Sequence, residues 1–296
     1  MELADLITER LRPELADLDL RPTSELVRLM ADDQREALEA VVASIDSISA
    51  AVEAVHSRLE SGGRLVYVGA GTAGRLGLLD AAECPPTFNT DRVIGVMAGG
   101  PTAFNVSREA IEDDAEAGAT DMEKLEIDGA DAVVGLSASG RTPYTIGAVV
   151  KARELGAVTI GISCNPDALL SQHVDYPIEI MVGPEVIAGS TRLKAGTAQK
   201  TVLNIISTVA MVRLGKTFGN LMVDLRASNE KLRDRARRIV IQATGAEIHR
   251  VDSALVDASG DVKVAIVMLL SGLGADAARQ SLETHGGSVR KAVAGE

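Results

Sequence analysis

The chain has 296 residues, of which 46% are hydrophobic, so it is long enough to bury a sizeable core. A formal net charge of −12 without a basic run argues against nucleic acid as a partner, because that binding depends on Lys and Arg meeting phosphates. No stretch approaches the roughly 20 consecutive apolar residues of a membrane span, and the acidic first residues are unlike a signal peptide. We therefore expect a folded protein of the cytoplasm that does not enter a membrane.

The first predicted elements are helical. From Ser24 to about Leu59 the sequence has neither Gly nor Pro, and apolar residues recur at helical spacing, which predicts one long helix or two consecutive helices. The pair Gly62-Gly63 ends this pattern, and the apolar, β-branched run that follows predicts a buried strand over 64–68. Similar runs predict four more strands, at 93–97, 132–136, 158–162 and 176–181.

Helical stretches such as 143–155 lie between the predicted strands, and this alternation predicts βαβ units. We therefore expect an α/β protein with a doubly wound, mostly parallel sheet flanked by helices, whose binding sites lie at the carboxyl ends of the strands. A long apolar helix over 194–216 is predicted to pack on the sheet or against a partner subunit.

The character of the sequence changes after about residue 225, where charged and amphipathic pieces separated by Gly or Asp predict several short helices. These helices are predicted at 229–242, 248–256, 262–270 and 275–285. We therefore assign residues 1–236 to the main α/β domain and residues 237–296 to a small helical C-terminal subdomain.

The loop 137–143, with the sequence SASGRTP, stands directly after a predicted strand and before a predicted helix. Short hydroxyl side chains and a glycine permit close approach of the backbone, and the helix N-terminus offers free N–H groups to a phosphate dianion. Alternatively, Ser139 or Thr142 could serve only as the helix cap. Capping does not require three hydroxyls and a glycine, so the pattern favours a phosphate site. The candidate ligands are Ser137, Ser139, Gly140, Arg141 and Thr142.

A second glycine-rich loop, GAGTAG at 69–74, follows the first predicted strand and has the GxGxxG spacing of dinucleotide sites. A dinucleotide site also requires an acidic residue that closes the next strand and holds the ribose. Here Glu83 ends a helix instead, so a nicotinamide cofactor is the weaker interpretation. We predict that Gly71 and Thr72 form a second wall of the phosphate pocket.

Glu83 lies in a stretch of small residues that is ended by Pro85 and Pro86. A carboxyl group at a rigid, partly desolvated position can have its pKa raised and serve as a general acid. Surface charge at a helix end is the alternative interpretation of this residue.

Residues 109–116 predict a helix rich in carboxylates, and most such runs are solvated faces. Glu109 and Glu112 lie one turn apart on the same side of this helix, so they are the two residues that could turn inward together. The residues alone leave the choice between them open.

Two cysteines without a CxxC motif predict neither a disulfide framework nor a structural zinc site, and the four histidines are scattered. Aromatic residues make up only 2% of the chain and Trp is absent, which argues against a stacking platform for sugars. Any anionic metabolite must therefore be held by local polar groups, and we expect no metal.

Five motifs together give the chain a family resemblance. They are GAGTAGRLGLLDAAECPPTF (69–88), SASGRTPY (137–144), GISCNP (161–166), STRLKAGTAQKTVLN (190–204) and FGNLMVDL (218–225). With these motifs the chain resembles N-acetylmuramic acid 6-phosphate etherases, within the sugar isomerase (SIS) domain superfamily. The likeness runs over nearly the whole chain and implies a SIS-type, flavodoxin-like fold.

The resemblance implies a reaction on a cell-wall sugar phosphate, in which the D-lactyl ether at carbon 3 is lost and water replaces it. Glu83 matches the acid of the family in ECPPTF, and Glu112 matches its second catalytic glutamate, which we assign as the base. Lys194 or Arg141 would neutralise the phosphate or the lactate carboxylate. No cofactor is implied. The long helices and the superfamily indicate a homodimer with its pocket near the subunit interface.

Two other functions would share the phosphate loop. One is a non-catalytic sugar-phosphate regulator, but such relatives carry two of these domains in a longer chain. The other is an aldose–ketose isomerase of the same superfamily, which should lack ECPPTF. Release of D-lactate from N-acetylmuramic acid 6-phosphate distinguishes the etherase from both.

Overall fold

A computed structural model of the protein describes residues 6–105, 111–224 and 230–295. The chain divides into two compact units, Met1–Ala82 with Arg92–Ser207, and Glu83–Asp91 with Thr208–Glu296. In the C-terminal half of the chain this division lies between Ser207 and Thr208. It lies inside an uninterrupted helix, where no change in the local sequence pattern marks it.

The first unit is built on a five-stranded sheet in which every neighbouring pair is parallel, in the order β2-β1-β3-β4-β5. This confirms the predicted doubly wound class. The strands are β1 (Leu65–Gly69), β2 (Val93–Met97), β3 (Ala132–Leu136), β4 (Val158–Ser163) and β5 (Tyr176–Glu179).

Helices flank this sheet. The helical region near the start is two helices, separated at Ser44, where the backbone leaves the helical conformation. The helix after β3 and the second helix of the chain both contact the central strands of the sheet. The helices are α1 (Thr23–Ala43), α2 (Ile45–Glu60), α3 (Gly71–Phe88), α4 (Ala115–Lys124), α5 (Pro143–Glu154) and α6 (Lys194–Arg213).

The core of the sheet is continuous along its central strands. Every residue of β1, β3 and β4 is buried, as expected for parallel strands covered on both faces. On the face beneath α5, Val66, Val68 and Val133 pack with Ala148 and Val149. This packing fixes where the strands end, and thereby positions the loops at their carboxyl ends.

The second unit contains the predicted helical C-terminal region. Its core is centred on α9 (Val262–Ser271), which α7, α8, α10 and α11 all contact. A short antiparallel hairpin of β6 (Thr217–Phe218) and β7 (Leu221–Met222) was not expected from the sequence. The remaining helices are α7 (Glu230–Thr244), α8 (Ile248–Asp257), α10 (Ala275–Thr284) and α11 (Val289–Ala294). Across the described ranges, no helix has the length and apolarity to cross a bilayer.

Candidate active site

Two of the predicted loops meet at one edge of the sheet. Gly69, at the end of β1, is in register with Met97 of β2 and with Leu136 of β3, so these strands end together. From β1 the chain passes to β2 on one side, whereas β3 lies on the other side. The loops after β1 and β3 therefore begin side by side and lead in opposite directions. This is the switch point of the sheet, where open α/β folds bind their ligands.

The hydroxyl groups after β3 converge on one atom. The Oγ of Ser137 lies 2.8 Å from Oγ1 of Thr142 and 3.3 Å from Oγ of Ser139. Ser137 is only 2% exposed, while the other two side chains are half-buried. Thr142 occupies the N-cap position of α5, yet its side chain does not cap the helix. The capping alternative therefore fails for Thr142, whose hydroxyl belongs to the cluster.

Two donors hold the Ala138 carbonyl of this loop. The Ala138 oxygen accepts hydrogen bonds from the Cys164 amide (2.9 Å) and the Asn165 side chain (3.1 Å), both in the segment after β4. Gly140 has a φ of +69°, and a Cβ there would lie 2.4 Å from the Cβ of Ala168. Only glycine fits this position, because both the conformation and the space exclude a side chain.

The loop after β1 leaves room for a carboxylate. Gly71 has a φ of +54°, and a Cβ at this position would lie 2.9 Å from Oε1 of Glu112. The Glu112 carboxylate therefore lies directly against the backbone at the start of α3. Thr72, the next residue, is half-buried, and its Cγ2 faces Gly196 of α6.

Glu112 lies in a turn and not on a helix, which corrects the helix predicted over 109–116. The helix begins only at Ala115, because the side chain of Asp114 accepts a hydrogen bond from the Ala117 amide (2.9 Å) and caps it. The carbonyl of Glu112 accepts a hydrogen bond from the Tyr144 amide (3.1 Å), in the first turn of α5. Glu112 thus lies beside the start of α3 and the first turn of α5, the two helices that follow the loops of the switch point. The alternative residue, Glu109, lies outside the described residues.

Glu83 lies on α3, in the part of that helix that belongs to the second unit. Its side chain is exposed and not partly desolvated as the small-residue context suggested. Its carbonyl accepts a hydrogen bond from the Thr87 hydroxyl at 2.8 Å. The helix does not end at Glu83, as the sequence suggested, but runs through Pro85 and Pro86 to Phe88.

Lys194 is 1% exposed, and its ammonium nitrogen lies 2.8 Å from the Glu36 carboxylate and 3.3 Å from that of Asp33. Its charge is thus balanced inside the protein by α1. The buried carboxylate of Glu185 accepts hydrogen bonds from the amides of Lys194 (2.9 Å) and Ala195 (3.0 Å), at the start of α6. Burial raises the pKa of Glu185, and these two amides partly oppose that rise.

Arg141 is half-buried beside the hydroxyl cluster. Together with Ser139 it lines a small cavity of about 150 Å³. The other residues that line this cavity are Leu6, Pro166, Asp167, Ala168, Leu169 and Gln172.

Sequence reasoning did not single out the residues that support the hydroxyl loop from behind. Asn165 and Thr8 are both completely buried, and they hydrogen-bond to each other. A usable signal existed, since Asn165 follows the carboxyl end of a predicted strand at the same edge of the sheet as the hydroxyl loop.

Comparison with known proteins identifies the class first. Residues 47–154 match the glucokinase regulatory protein N-terminal SIS domain, and residues 109–208 match the SIS domain. With the parallel sheet and the hydroxyl loop at its switch point, these matches define a SIS-domain protein.

Curated relatives identify the family. The chain is 60% identical to the N-acetylmuramic acid 6-phosphate etherase of Rubrobacter xylanophilus, over 98% of this chain and 97% of that protein. It is 56% identical to the Streptomyces avermitilis etherase, over 99% and 95% of the two chains. It is 50% identical to the Serratia proteamaculans etherase, over 99% of each. The chain belongs to the N-acetylmuramic acid 6-phosphate etherase family.

Proposed function

We propose that this protein is an N-acetylmuramic acid 6-phosphate etherase, a carbon–oxygen lyase. It cleaves the D-lactyl ether by elimination followed by hydration, which gives N-acetylglucosamine 6-phosphate and D-lactate. The observation that supports this most strongly is 60% identity, over nearly the full length of both chains, to a relative of that name. In this proposal the reaction serves recycling of cell-wall sugars in the cytoplasm.

The phosphate of the substrate binds at 137–142 in this proposal. The hydroxyls of Ser137, Ser139 and Thr142 lie together at the N-terminus of α5, where amide groups and the helix dipole favour an anion. Arg141 belongs to the same loop. Local donors of this kind are necessary because the chain as a whole carries a net charge of −12.

The elimination follows from the acidity of carbon 2. When the sugar ring opens, the aldehyde at carbon 1 acidifies the hydrogen on carbon 2. The Glu112 carboxylate removes this proton, the electron pair forms the C2=C3 double bond, and the C3–O bond breaks. Glu83 donates a proton to the departing lactate oxygen.

Hydration uses the same groups in reversed roles. The Glu83 carboxylate takes a proton from water as the water oxygen adds to carbon 3, and Glu112 returns a proton to carbon 2. The two carboxyl groups must therefore hold different protonation states at one pH. The position of Glu112, against Gly71 and beside the first turn of α5, supports its role as the base, because the anchored sugar lies nearby in this proposal.

The test replaces Glu83 by Gln. We expect Glu83→Gln to abolish release of D-lactate while the hydrogen on carbon 2 still exchanges with solvent deuterium, since the base remains. Loss of both activities would reverse or merge the assigned roles. The control is Glu116→Gln, which makes the same change at an exposed position of α4 and should leave both activities unchanged. Absence of lactate release from the unmodified protein would instead support a regulator or an isomerase.

We also propose that the protein is a homodimer. Val27, Leu38 and Val42 are all exposed and lie at helical spacing along one face of α1, where a second copy of the chain would cover them. Val42→Asp should convert the dimer to monomers in sedimentation velocity. Val256→Asp, at an exposed position of α8, should leave the oligomer intact. A monomeric unmodified protein would contradict this assignment.

A further inference from the structure

The side chain of Asn165 lies behind the hydroxyl loop with both of its functional groups engaged. Its Nδ2 donates hydrogen bonds to the Ala138 carbonyl and to the Thr8 hydroxyl, each at 3.1 Å. Its Oδ1 accepts from the Thr8 amide at 3.4 Å. Because Asn165 and Thr8 are completely buried, no water replaces these partners. The donor and acceptor pattern therefore fixes how the amide is oriented.

This contact, together with the Cys164 amide that donates to the same carbonyl at 2.9 Å, holds the loop backbone in one orientation. In a trans peptide the C=O and N–H groups point in opposite directions. Since the Ala138 carbonyl is held against Asn165, the Ser139 N–H points away from it. The Gly140–Arg141 peptide shows the same arrangement, because the Gly140 carbonyl accepts a hydrogen bond from the Leu170 amide (2.8 Å). Its partner, the Arg141 N–H, points to the Ser139 hydroxyl (3.3 Å), on the side of the hydroxyl cluster.

We propose that Asn165 is a positioning residue for phosphate binding. It holds the Ala138–Ser139 peptide with the N–H toward the anion and the carbonyl dipole away from it, so that the backbone and the hydroxyls present donors together. Through Thr8 it also fastens the N-terminal segment to the loop. The identity of the anion rests on the proposed function.

The experiment measures binding of N-acetylglucosamine 6-phosphate by calorimetry, together with steady-state kinetics of lactate release. Asn165→Asp keeps the shape and the acceptor for the Thr8 amide, but a carboxylate cannot donate to the Ala138 carbonyl. The new carboxylate repels the Ala138 oxygen, which only the Cys164 amide then holds, so the Ser139 N–H turns from the anion. Affinity and KM should each worsen roughly 10-fold, because the anion loses a charge-assisted hydrogen bond. The kcat should change less than about threefold, since the reacting carboxyl groups are untouched.

The matched control is Asn204→Asp, the same chemical change at an exposed site on α6, where the side-chain oxygen accepts from Lys200. It should leave both affinity and KM unchanged. A purely structural role for Asn165 would lower Tm and the active fraction without altering affinity per folded molecule, and that result would overturn the inference.

A second variant keeps the test decisive if Asn165→Asp does not fold. Thr8→Val removes the hydroxyl that accepts from Asn165 and leaves the Ala138 contact in place, so affinity should fall by a smaller factor, roughly threefold. Unchanged affinity in this variant would contradict the inference. If the unmodified protein bound the phosphorylated sugar no better than N-acetylglucosamine, the proposed function would fail first, which separates the two failures.

Discussion

The loops after β1 and after β3 are both rich in glycine and both lead into a helix, yet their glycines do different things. In the loop after β3, Gly140 allows a backbone turn against Ala168, so that hydroxyl and amide donors gather on one side. In the loop after β1, Gly71 leaves space that the Glu112 carboxylate fills. One loop collects donors and the other admits an acceptor.

This difference explains how one edge of the sheet can both bind an anion and hold a catalytic base. Donors that stabilise a phosphate would also lower the basicity of a carboxylate placed among them. Here the hydroxyl cluster lies in the loop after β3, whereas the Glu112 carboxylate belongs to the turn before α4 and lies against the loop after β1. In our proposal the loop after β3 sets the affinity for the phosphate. Glu112, which lies against the loop after β1, sets the rate of proton removal.

The largest effect on kcat is expected when Glu112, the proton acceptor, is replaced. Glu112→Gln should lower kcat by about 10³-fold, within the range of general-base catalysis, while KM changes little because the phosphate contacts remain. Steady-state assays of D-lactate release would measure both constants. Glu116→Gln again serves as the control. A large rise in KM with little loss of kcat would place Glu112 in binding and not in proton transfer.

A smaller effect should follow from filling the space beside the carboxylate. Gly71→Ala introduces a Cβ 2.9 Å from Oε1 of Glu112 at a φ of +54°, so the carboxylate must move. A displacement of about 1 Å can reduce kcat by about 10²-fold. Gly245→Ala has similar backbone strain at a φ of +67°, but open space around it. It should cost about 1 kcal/mol of stability and leave kcat unchanged. Equal kcat values for Gly71→Ala and Gly245→Ala would show that the space beside Glu112 does not matter for the reaction, which contradicts the role assigned to the loop after β1.

The smallest effect on activity is expected at the opposite edge of the same strands. Asp131, just before β3, is 2% exposed and accepts hydrogen bonds from the Arg64 side chain and amide. Asp131→Asn should lower the free energy of unfolding by about 3 kcal/mol, because the charge of Arg64 loses its partner. The kcat and KM of the folded enzyme should stay as they are. Chemical denaturation and kinetics on the same sample would check both.

The pH dependence of this stability gives a second readout. Burial raises the pKa of Asp131, but hydrogen bonds from Arg64 and backbone amides outweigh it, so the pKa lies below its ordinary value. The stabilisation is complete above the unfolded pKa of about 3.9 and is lost as pH falls through the folded value. The free energies of unfolding of the unmodified protein and of Asp131→Asn should therefore converge as the pH falls. A constant difference down to about pH 2 would contradict this account.

Much of the fold could be predicted because local patterns determine it. The runs at 93–97 and 132–136 are strands with the expected bounds, since both are continuous apolar runs. The run at 132–136 is buried along its whole length, whereas the run at 93–97, at the edge of the sheet, is fully buried only at its two ends. The boundary between the two units could not be predicted in this way, because helix α6 runs through it without interruption. The β6–β7 hairpin was missed because two-residue strands carry no periodic pattern.

The candidate site was predicted less completely, for reasons of tertiary packing. The run at 109–116 has a helical composition, but the cap at Asp114 starts the helix later and leaves Glu112 in a turn. Lys194 looked available for an anion, whereas Asp33 and Glu36, far away in sequence, pair with it. The roles of Glu83 and Glu112 remain predictions that the variants above test.

The most direct test of the proposal is a crystal structure of the Glu112→Gln protein soaked briefly with N-acetylmuramic acid 6-phosphate, which this variant should bind normally and turn over about 10³-fold more slowly. We expect the phosphate within hydrogen-bonding distance of the hydroxyls of Ser137, Ser139 and Thr142, and carbon 2 of the sugar beside residue 112. A phosphate bound away from this loop, or a sugar whose carbon 2 faces neither residue 112 nor Gly71, would contradict the account.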